Sequence, residues 1–320
     1  MNTAPSTSKP NLPELPRTLI PAEPLPEDSP GDNSLSIAVL NSSRWPYRSA
    51  LFSELSRIGA LEIISIENAP PPPDIPQLQR RFPHLRFIIF QPGTNPGQCL
   101  NTAFRELRGK HCLVLPRTMQ IDLSHFQFAR GSIDNTLCTV PVIYDRENKA
   151  LPTASGPMPD AEGRFHSLPF IPKKPETPTL LPWLYCGLYH RENHLALGGF
   201  DPCIKEIWWQ QMEYGLRAWL WGEKIITGQN FTMRLLDEVP LMDTTPGSGY
   251  RRFYLKTLAV QHREDGGRLP WMQWLQYWRY SGDSLQNSGR EWKKINQWVR
   301  ENRHRYVMDA AKLTDIWQWE

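Results

Sequence analysis

The sequence predicts an α/β protein with an open, mostly parallel sheet flanked by helices, followed by a helical, tryptophan-rich C-terminal extension. Two features carry the prediction. Between Leu35 and Leu115, short aliphatic runs of strand length alternate with amphipathic segments of helix length. Units of that size join parallel strands through right-handed crossovers. Seven of the thirteen tryptophans fall after residue 270, several at helical spacing, which gives the C-terminal part its own packing or binding role.

Residues 1–33 hold eight prolines and five acids against two bases. Such a segment buries too little surface to offset its ordering entropy, so it reads as a disordered tail or as a strap laid on the domain. Regular structure begins with a strand at Leu35–Leu40. A helix over 47–58 follows, with Leu51, Leu55 and Ile58 on one face, and then a strand at Leu61–Ile66. The proline run at 70–73 ends that strand, and 74–82 make a short helix. Leu85–Phe90 reads as a strand, Pro96–Leu107 as a helix opened by proline, and His111–Leu115 as a strand. Asp122 is placed to cap a helix around 124–130. A strand at 136–144 precedes a long loop over 145–182, of the kind that serves as a lid or binding loop. Then come a helix at His190–Leu197 closed by Gly198-Gly199, a helix at 208–221 and a strand at Lys224–Thr227. Helices are expected at 251–264, 270–280 and 290–303. The chain divides accordingly into 1–33, a sheet domain over 34–250 split at 118, and the extension 251–320.

Composition excludes several classes. No run reaches the roughly 18 to 20 apolar residues of a membrane-spanning helix. The N-terminus has neither the basic start nor the apolar stretch of a secretory signal, so a cytoplasmic location is expected. Five cysteines lie far apart without a C-x-x-C pair, and most of them read as buried thiols. The net charge of +3, from 36 bases and 33 acids, gives no strong pull toward nucleic acid. Neither G-x-G-x-x-G after Val39 nor G-x-x-x-x-G-K-[ST] occurs, and G-x-S-x-G is missing. A nucleotide could still bind at the carboxyl ends of the strands, where open sheets place ligands.

Two local patterns go further. Ile63-Ile64-Ser65-Ile66 leads into Glu67, and Asn95-x-Gly97 with Asn101 opens the third helix. Later, Gly187-Leu188-Tyr189-His190-Arg191 precedes Leu197-Gly198-Gly199-Phe200-Asp201-Pro202 and then Glu213-Tyr214-Gly215-Leu216-Arg217. In order and spacing, over roughly residues 34–240, these resemble the family-2 glycosyltransferases and the polypeptide N-acetylgalactosaminyltransferases, which share the GT-A fold. The resemblance implies a nucleotide half over 34–118 and an acceptor half over 119–250. It also implies a nucleotide sugar, with UDP one candidate, and a glycan, lipid or protein acceptor. Glu67 and Asn101 would line the nucleotide side, Arg117 the phosphates, and Asp201, Gln210, Glu213 and Trp209 the sugar or acceptor side.

The departures are equally informative. The family's Asp-x-Asp, which supplies oxygen ligands to a divalent cation, is replaced by Pro116-Arg117-Thr118, so no metal or other cofactor is expected. Arg117 is either a fixed cation standing in for the metal or a loop arginine; Asp122 is a recruited carboxylate or a cap. The family's base position falls on Gln210 and Gln211, which cannot accept a proton at neutral pH. Glu213 is four residues before Arg217, either paired with it on one helical face or a displaced base, with Glu206 a further candidate. The family's later metal-binding histidine has no counterpart in Gly228–Arg234. Trp208 or Trp209 either stacks on a sugar ring or faces the core.

These observations predict a glycosyltransferase-like protein that binds a nucleotide sugar and is either metal-independent or catalytically degenerate. The alternative is a scaffold gripping a protein partner through Trp271, Trp274, Trp278, Arg279 and Trp298. A third reading, phosphate contacts by Arg251-Arg252, Lys256, His262-Arg263, Arg300, Arg303, His304 and Arg305 on a single strand, is disfavoured by the interspersed acids.

Overall fold

The computed structural model describes residues 15–22, 35–41, 48–124, 135–159, 165–264, 266–281 and 285–319. In chain order the strands are β1 (Arg17–Ile20), β2 (Leu35–Leu40), β3 (Glu62–Asn68), β4 (Leu85–Phe90), β5 (His111–Pro116), β6 (Met119–Ile121), β7 (Cys138–Tyr144), β8 (Ala154–Pro159), β9 (Phe165–Phe170), β10 (Gly187–His190), β11 (Ile225–Leu235), β12 (Gln261–Arg263) and β13 (Gly266–Arg268). The α-helices are α1 (Arg48–Leu55), α2 (Ile75–Arg81), α3 (Pro96–Glu106), α4 (Arg191–Leu197), α5 (Ile207–Leu220), α6 (Ser248–Lys256), α7 (Met272–Ser281), α8 (Leu285–Glu301) and α9 (Ala310–Ile316).

Nine strands form one sheet in the order β1-β4-β3-β2-β5-β10-β7-β11-β6. The block β4-β3-β2-β5 is parallel, as the alternation with helices requires. Beyond it, β10 enters antiparallel between β5 and β7, β11 runs parallel to β7, and β6 closes the edge antiparallel to β11. Because successive strand residues point to opposite faces, each parallel strand feeds two cores. Ile37, Val39, Ile63, Phe87 and Leu113 pack with Leu51, Phe52, Leu55 and Leu78 on the face covered by α1 and α2. Ala38, Ile64, Ile88, Cys112 and Val114 pack with Leu100, Phe104, Leu197, Tyr214 and Ala218 on the face covered by α3, α4 and α5.

A third core lies on the far side of α5. Met212, Leu216 and Leu220 meet Phe253, Ile295, Val299, Tyr306, Leu313 and Trp317, so α6, α8 and α9 form a further layer on the sheet domain. Gly215 lets the chain at Leu180 and Leu181 come up against α5: a Cβ there would collide with the Leu180 carbonyl oxygen. Of the extension's tryptophans, Trp317 is buried, Trp298 stacks on Trp221 at 5.7 Å, and Trp271 and Trp278 are exposed. The stripes therefore divide between an inward set and an outward set; the side chain of Arg279 lies outside the described residues.

Several elements differ from the sequence reading. Arg17–Ile20 pairs with β4 and Arg17 is bonded to Glu106 at 2.7 Å, so this part of residues 1–33 is a strap. The span 145–182 contains the hairpin of β8 and β9; its prolines obscure the strand pattern, and they are tolerated because this two-stranded ribbon has free edges. The strand expected at Lys224–Thr227 continues to Leu235 across an irregularity in register at which Asn230 takes a left-handed backbone. The helix expected over 251–264 stops at Lys256, and Gln261–Arg263 instead pairs with Gly266–Arg268. β6 and α9 carry too few residues to show a period. The helix expected around 124–130 lies outside the described residues. Among the described residues no helix is long and apolar enough to cross a membrane.

Candidate functional site

The carboxyl ends of β2, β3 and β5 open into a cleft of about 310 Å³. Asn41, just beyond β2, Asn68 at the end of β3, and Pro116 and Thr118 around the end of β5 line one side. Thr94, Pro96 and Cys99 bring the N-terminal end of α3 to it, and Asp237, Glu238 and Pro240, beyond β11, close it opposite. This is where an open α/β sheet places a ligand. Its floor is Leu184 and Tyr185, two non-glycine residues with φ of 52° and 61°. Such left-handed conformations cost roughly 1–3 kcal/mol each and cluster at functional sites. They hold because Leu184 packs toward one sheet core and Tyr185 into the other.

Around the cleft the polar side chains are tied to protein partners. Glu67 is buried and points away from the opening: it accepts from Asn41 Nδ2 at 2.9 Å and from Ser65 Oγ at 2.6 Å. Glu67 thus aims Asn41, and its neighbours Ile66 and Asn68, which share the opposite strand face, line the cleft. Asn101 spends its amide on one residue, donating to the Phe200 carbonyl at 2.7 Å and accepting from the Phe200 amide at 2.8 Å. It holds the Gly198-Gly199-Phe200 turn against α3 and is absent from the cleft lining. Gln210 is 1% exposed. Its Nε2 donates to Asp201 O at 2.8 Å, Ile204 O at 2.9 Å and Asn95 Oδ1 at 3.2 Å, and its Oε1 accepts from the Tyr185 hydroxyl at 2.6 Å. Gln211, the other residue at the base position, is also fully buried.

The two acids assigned to the acceptor side belong to a buried ion network. Glu213 accepts from Arg217 Nε at 2.7 Å and Nη2 at 2.9 Å and meets Lys256 Nζ at 2.6 Å. Asp201 Oδ2 meets the same Lys256 Nζ at 2.8 Å and Arg252 Nε at 2.7 Å, while Asp201 Oδ1 accepts from the Cys203 amide at 2.9 Å. Arg252 continues to Glu291 at 2.9 Å, so three carboxylates balance three cations. Burial pushes both acids toward protonation, but the adjacent cations win: Lys256 and Arg252 hold the Asp201 carboxyl far below the usual carboxylate range, and Arg217 and Lys256 lower Glu213. Arg217 also donates to Leu197 O and Gly199 O, so the glycine turn, α5 and α6 are fastened at one point. The pairing of Glu213 with Arg217 foreseen from their spacing is present, and Lys256 joins it from the extension.

Other sequence candidates are placed as follows. Trp209 is buried; its Nε1 donates to Thr245 O at 2.9 Å and its ring packs on Tyr250 and Phe253, so it is core and presents no face to a sugar. Trp208 is half-buried beside the same cluster. Glu206 receives the Gly249 amide and the Ser248 hydroxyl, both at 3.3 Å, at the start of α6. Arg117 is half-buried between two lining residues, and its amide donates to Leu40 O at 2.9 Å. The cleft residues passed over in the sequence are Asn41, Asn68, Thr94, Tyr185, Asp237 and Glu238. A polar residue at the carboxyl end of a predicted parallel strand was the signal for the first two.

The divalent cation implied by the resemblance does not fit these residues. Pro116-Arg117-Thr118 offers no carboxylate, and the Thr118 carbonyl already accepts from the Leu236 amide at 2.8 Å. Asp122 bonds the Ser124 amide at 3.0 Å, and Asp237 pairs with Arg146 at 3.3 Å. Among the described residues no group of three His, Cys, Asp or Glu side chains is placed to hold a metal.

No family model matches the sequence, and no curated protein does. Among solved structures, GalNAc-T7 with UDP, GalNAc and Mn2+ is similar over 89% of this chain and 58% of that one, with a TM-score of 0.54 and 13% identity. TarS of S. aureus is similar over 86% of this chain and 44% of that one (TM-score 0.46, 12% identity). The 1–349 portion of TarS with UDP-GlcNAc is similar over 85% and 72% (TM-score 0.47, 12% identity). The chain thus spans about half the length of the first two structures. The GalNAc-T7 similarity shows that the chain has a GT-A-like α/β fold, with a mixed, mostly parallel sheet flanked by helices.

Proposed function

We propose that this protein binds a nucleotide sugar, or the nucleoside diphosphate of one, in the cleft at the ends of β2, β3 and β5, and does so without a divalent cation. The observation that carries the reading is the cleft itself: a concave opening at the carboxyl edge of a GT-A-like sheet, with the polar residues Asn41, Asn68, Thr94 and Thr118 in its lining. Side-chain amides and hydroxyls suit the hydrogen-bonding edge of a base and the ribose. The positive end of α3 faces the same opening and favours a phosphate. With no carboxylate at 116–118, the cation assigned to the diphosphate is Arg117, which stands between the lining residues Pro116 and Thr118 but is not itself in the lining, so its guanidinium would have to turn toward the opening to neutralise phosphate oxygens bidentately.

The reading places the protein among catalytically degenerate relatives of its fold. Transfer to a hydroxyl needs a carboxylate that can take a proton as the acceptor attacks, and at the expected position stands Gln210, buried and fully bonded. Glu213 and Asp201 are committed to cations. A calorimetric titration of UDP, GDP, CMP and TDP, each with manganese or with chelator, tests this. The expected result is binding of one nucleotide unchanged by chelation, weakened about tenfold by Arg117→Gln, the loss of one charge-assisted pair. Binding only with manganese, or turnover of the matching nucleotide sugar, overturns the metal-free, non-transferring reading; no binding at millimolar nucleotide overturns the ligand.

A further inference from the structure

The basic residues of the extension include two sets with different surroundings. Arg252 and Lys256 are consumed by Asp201, Glu213 and Glu291, and Arg305 lies over the Trp221 ring at 4.2 Å. Arg263, Arg268, Arg300 and Arg303 instead converge on a separate cleft of about 520 Å³, walled by Trp271 and Trp292. Among the described residues none of these four guanidinium groups is held in an ion pair, and no carboxylate lines the cleft. None of its lining residues lines the cleft at the sheet edge.

The local backbone builds this convergence. β12 and β13 form a short hairpin with Arg263 opposite Gly266 and Gln261 opposite Arg268. Gly266 has φ of 102° and sits against the Arg303 carbonyl, where a Cβ would collide, and Gly267 lies flat on the Tyr306 ring. The missing side chains let the hairpin press onto the turn at Arg303–Arg305, which follows α8. Arg263 and Arg268 are thereby brought to Arg300 on the last turn of α8 and to Arg303. Four like charges in one concavity repel one another, and a bound anion relieves that repulsion. The donors are planar forks suited to phosphate oxygens. In the cleft wall Trp271 is 66% exposed, and Met272, the next residue in the chain, is 63% exposed, so two consecutive apolar side chains face water beside a cationic hole.

We propose that this cleft is a second ligand site, that it takes a phosphate group, and that Trp271 and Met272 contact the apolar body carrying that group, as at the surface of an anionic phospholipid bilayer. Guanidinium groups then hold the phosphate while the rim side chains enter the interface, a division of labour typical of peripheral attachment.

The test is flotation of the full chain with vesicles of phosphatidylcholine alone or mixed with phosphatidylglycerol, alongside a calorimetric titration with inorganic pyrophosphate. The variants are Arg300→Gln with Arg303→Gln, and Trp271→Ala, each checked by circular dichroism; all three positions are exposed. The expected result is binding only to the phosphatidylglycerol vesicles, lost on raising salt. The double arginine variant should bind roughly thirty-fold more weakly, from about 1 kcal/mol per arginine at an anionic surface, and Trp271→Ala should weaken vesicle binding without altering pyrophosphate. Pyrophosphate binding lost in the double variant, with no vesicle binding, keeps the phosphate site and assigns it a soluble ligand, removing the membrane. Binding of neither probe, or binding that the double variant leaves intact, overturns the proposal.

Discussion

Glu213→Gln separates a structural from a catalytic role for the best-preserved acid of the family-like motif. The carboxylate accepts two bonds from Arg217 and one from Lys256 and is 0% exposed. The amide keeps one oxygen but turns an N–H toward one of these cations, leaving buried positive charge without its counter-ion. Removing one partner of a buried pair costs about 3–5 kcal/mol. At about 2–4 °C per kcal/mol, the smaller figure applying to larger chains, the melting temperature should fall by roughly 10 °C. Urea unfolding followed by far-UV circular dichroism gives the free energy, and scanning calorimetry the temperature. Nucleotide affinity, measured well below the new melting temperature, should be unchanged. Adding Lys256→Met to Glu213→Gln removes one charge of each sign, so the double variant should lose less than the sum of the two single losses. A Glu213→Gln protein as stable as the parent but impaired in nucleotide-sugar binding or turnover would refute the structural assignment.

The remaining predictions use the same network and cores. Ending the chain at residue 270 removes Ile295, Val299, Tyr306, Leu313 and Trp317 from the third core; at about 1.5–3 kcal/mol per buried side chain the loss is on the order of 10 kcal/mol, comparable with a whole domain's stability, so the truncated protein should be insoluble or lack a cooperative melt. His194 is fully buried, stacked on Phe104 at 3.7 Å and bonded to the Tyr214 hydroxyl at 2.9 Å, and burial, aided by Arg217, lowers its pKa to about 3. Its neutral form is favoured in the fold, so stability is full above the unfolded value of about 6.5 and falls as pH drops toward the folded one; about 2 kcal/mol should be lost between roughly pH 7 and pH 5, and His194→Gln should flatten that slope in urea titrations. Asp201 and Glu213 have lowered values, so their contribution persists above about pH 4 and disappears only in stronger acid, as a second, lower step in the stability profile. Gly215→Ala drives a methyl group into the Leu180 carbonyl and should cost about 1–3 kcal/mol through the backbone shift it forces, read as a lowered urea midpoint with unchanged slope.

The parallel half of the sheet was legible because its signals are local. Leu35–Leu40, Leu85–Phe90 and Pro96–Glu106 each announce themselves within their own span by period, length and a proline at the helix start. What escaped depends on distant partners. Nothing near Gly187–His190 says that it enters between β5 and β7. The termination of α6 at Lys256 reflects packing, since the following Leu258, Ala259 and Val260 continue an apolar pattern. The site shows the same division. The interaction of Glu213 with Arg217 lies four residues apart and is visible; Asp201 with Arg252 and Lys256 spans 51 and 55 residues and is not. The choice of Glu67 over Asn68 rests on the family resemblance, whereas strand alternation decides which residue reaches the cleft.

The orientation of the Gln210 amide has a consequence for placing an acid at this position. Its nitrogen faces three oxygen acceptors, two carbonyls and the Asn95 amide oxygen. Replacing it with glutamate to create a base would set a carboxylate oxygen against all three, and the acid would answer by staying protonated or by forcing the 201–204 turn away from α3. The position is a donor socket, and Gly97, where a Cβ would overlap this same amide, is shaped around it. Engineering a reactive acid into this protein therefore has to begin with the acceptors that surround position 210, or on the opposite rim of the cleft, where Glu238 stands in solvent.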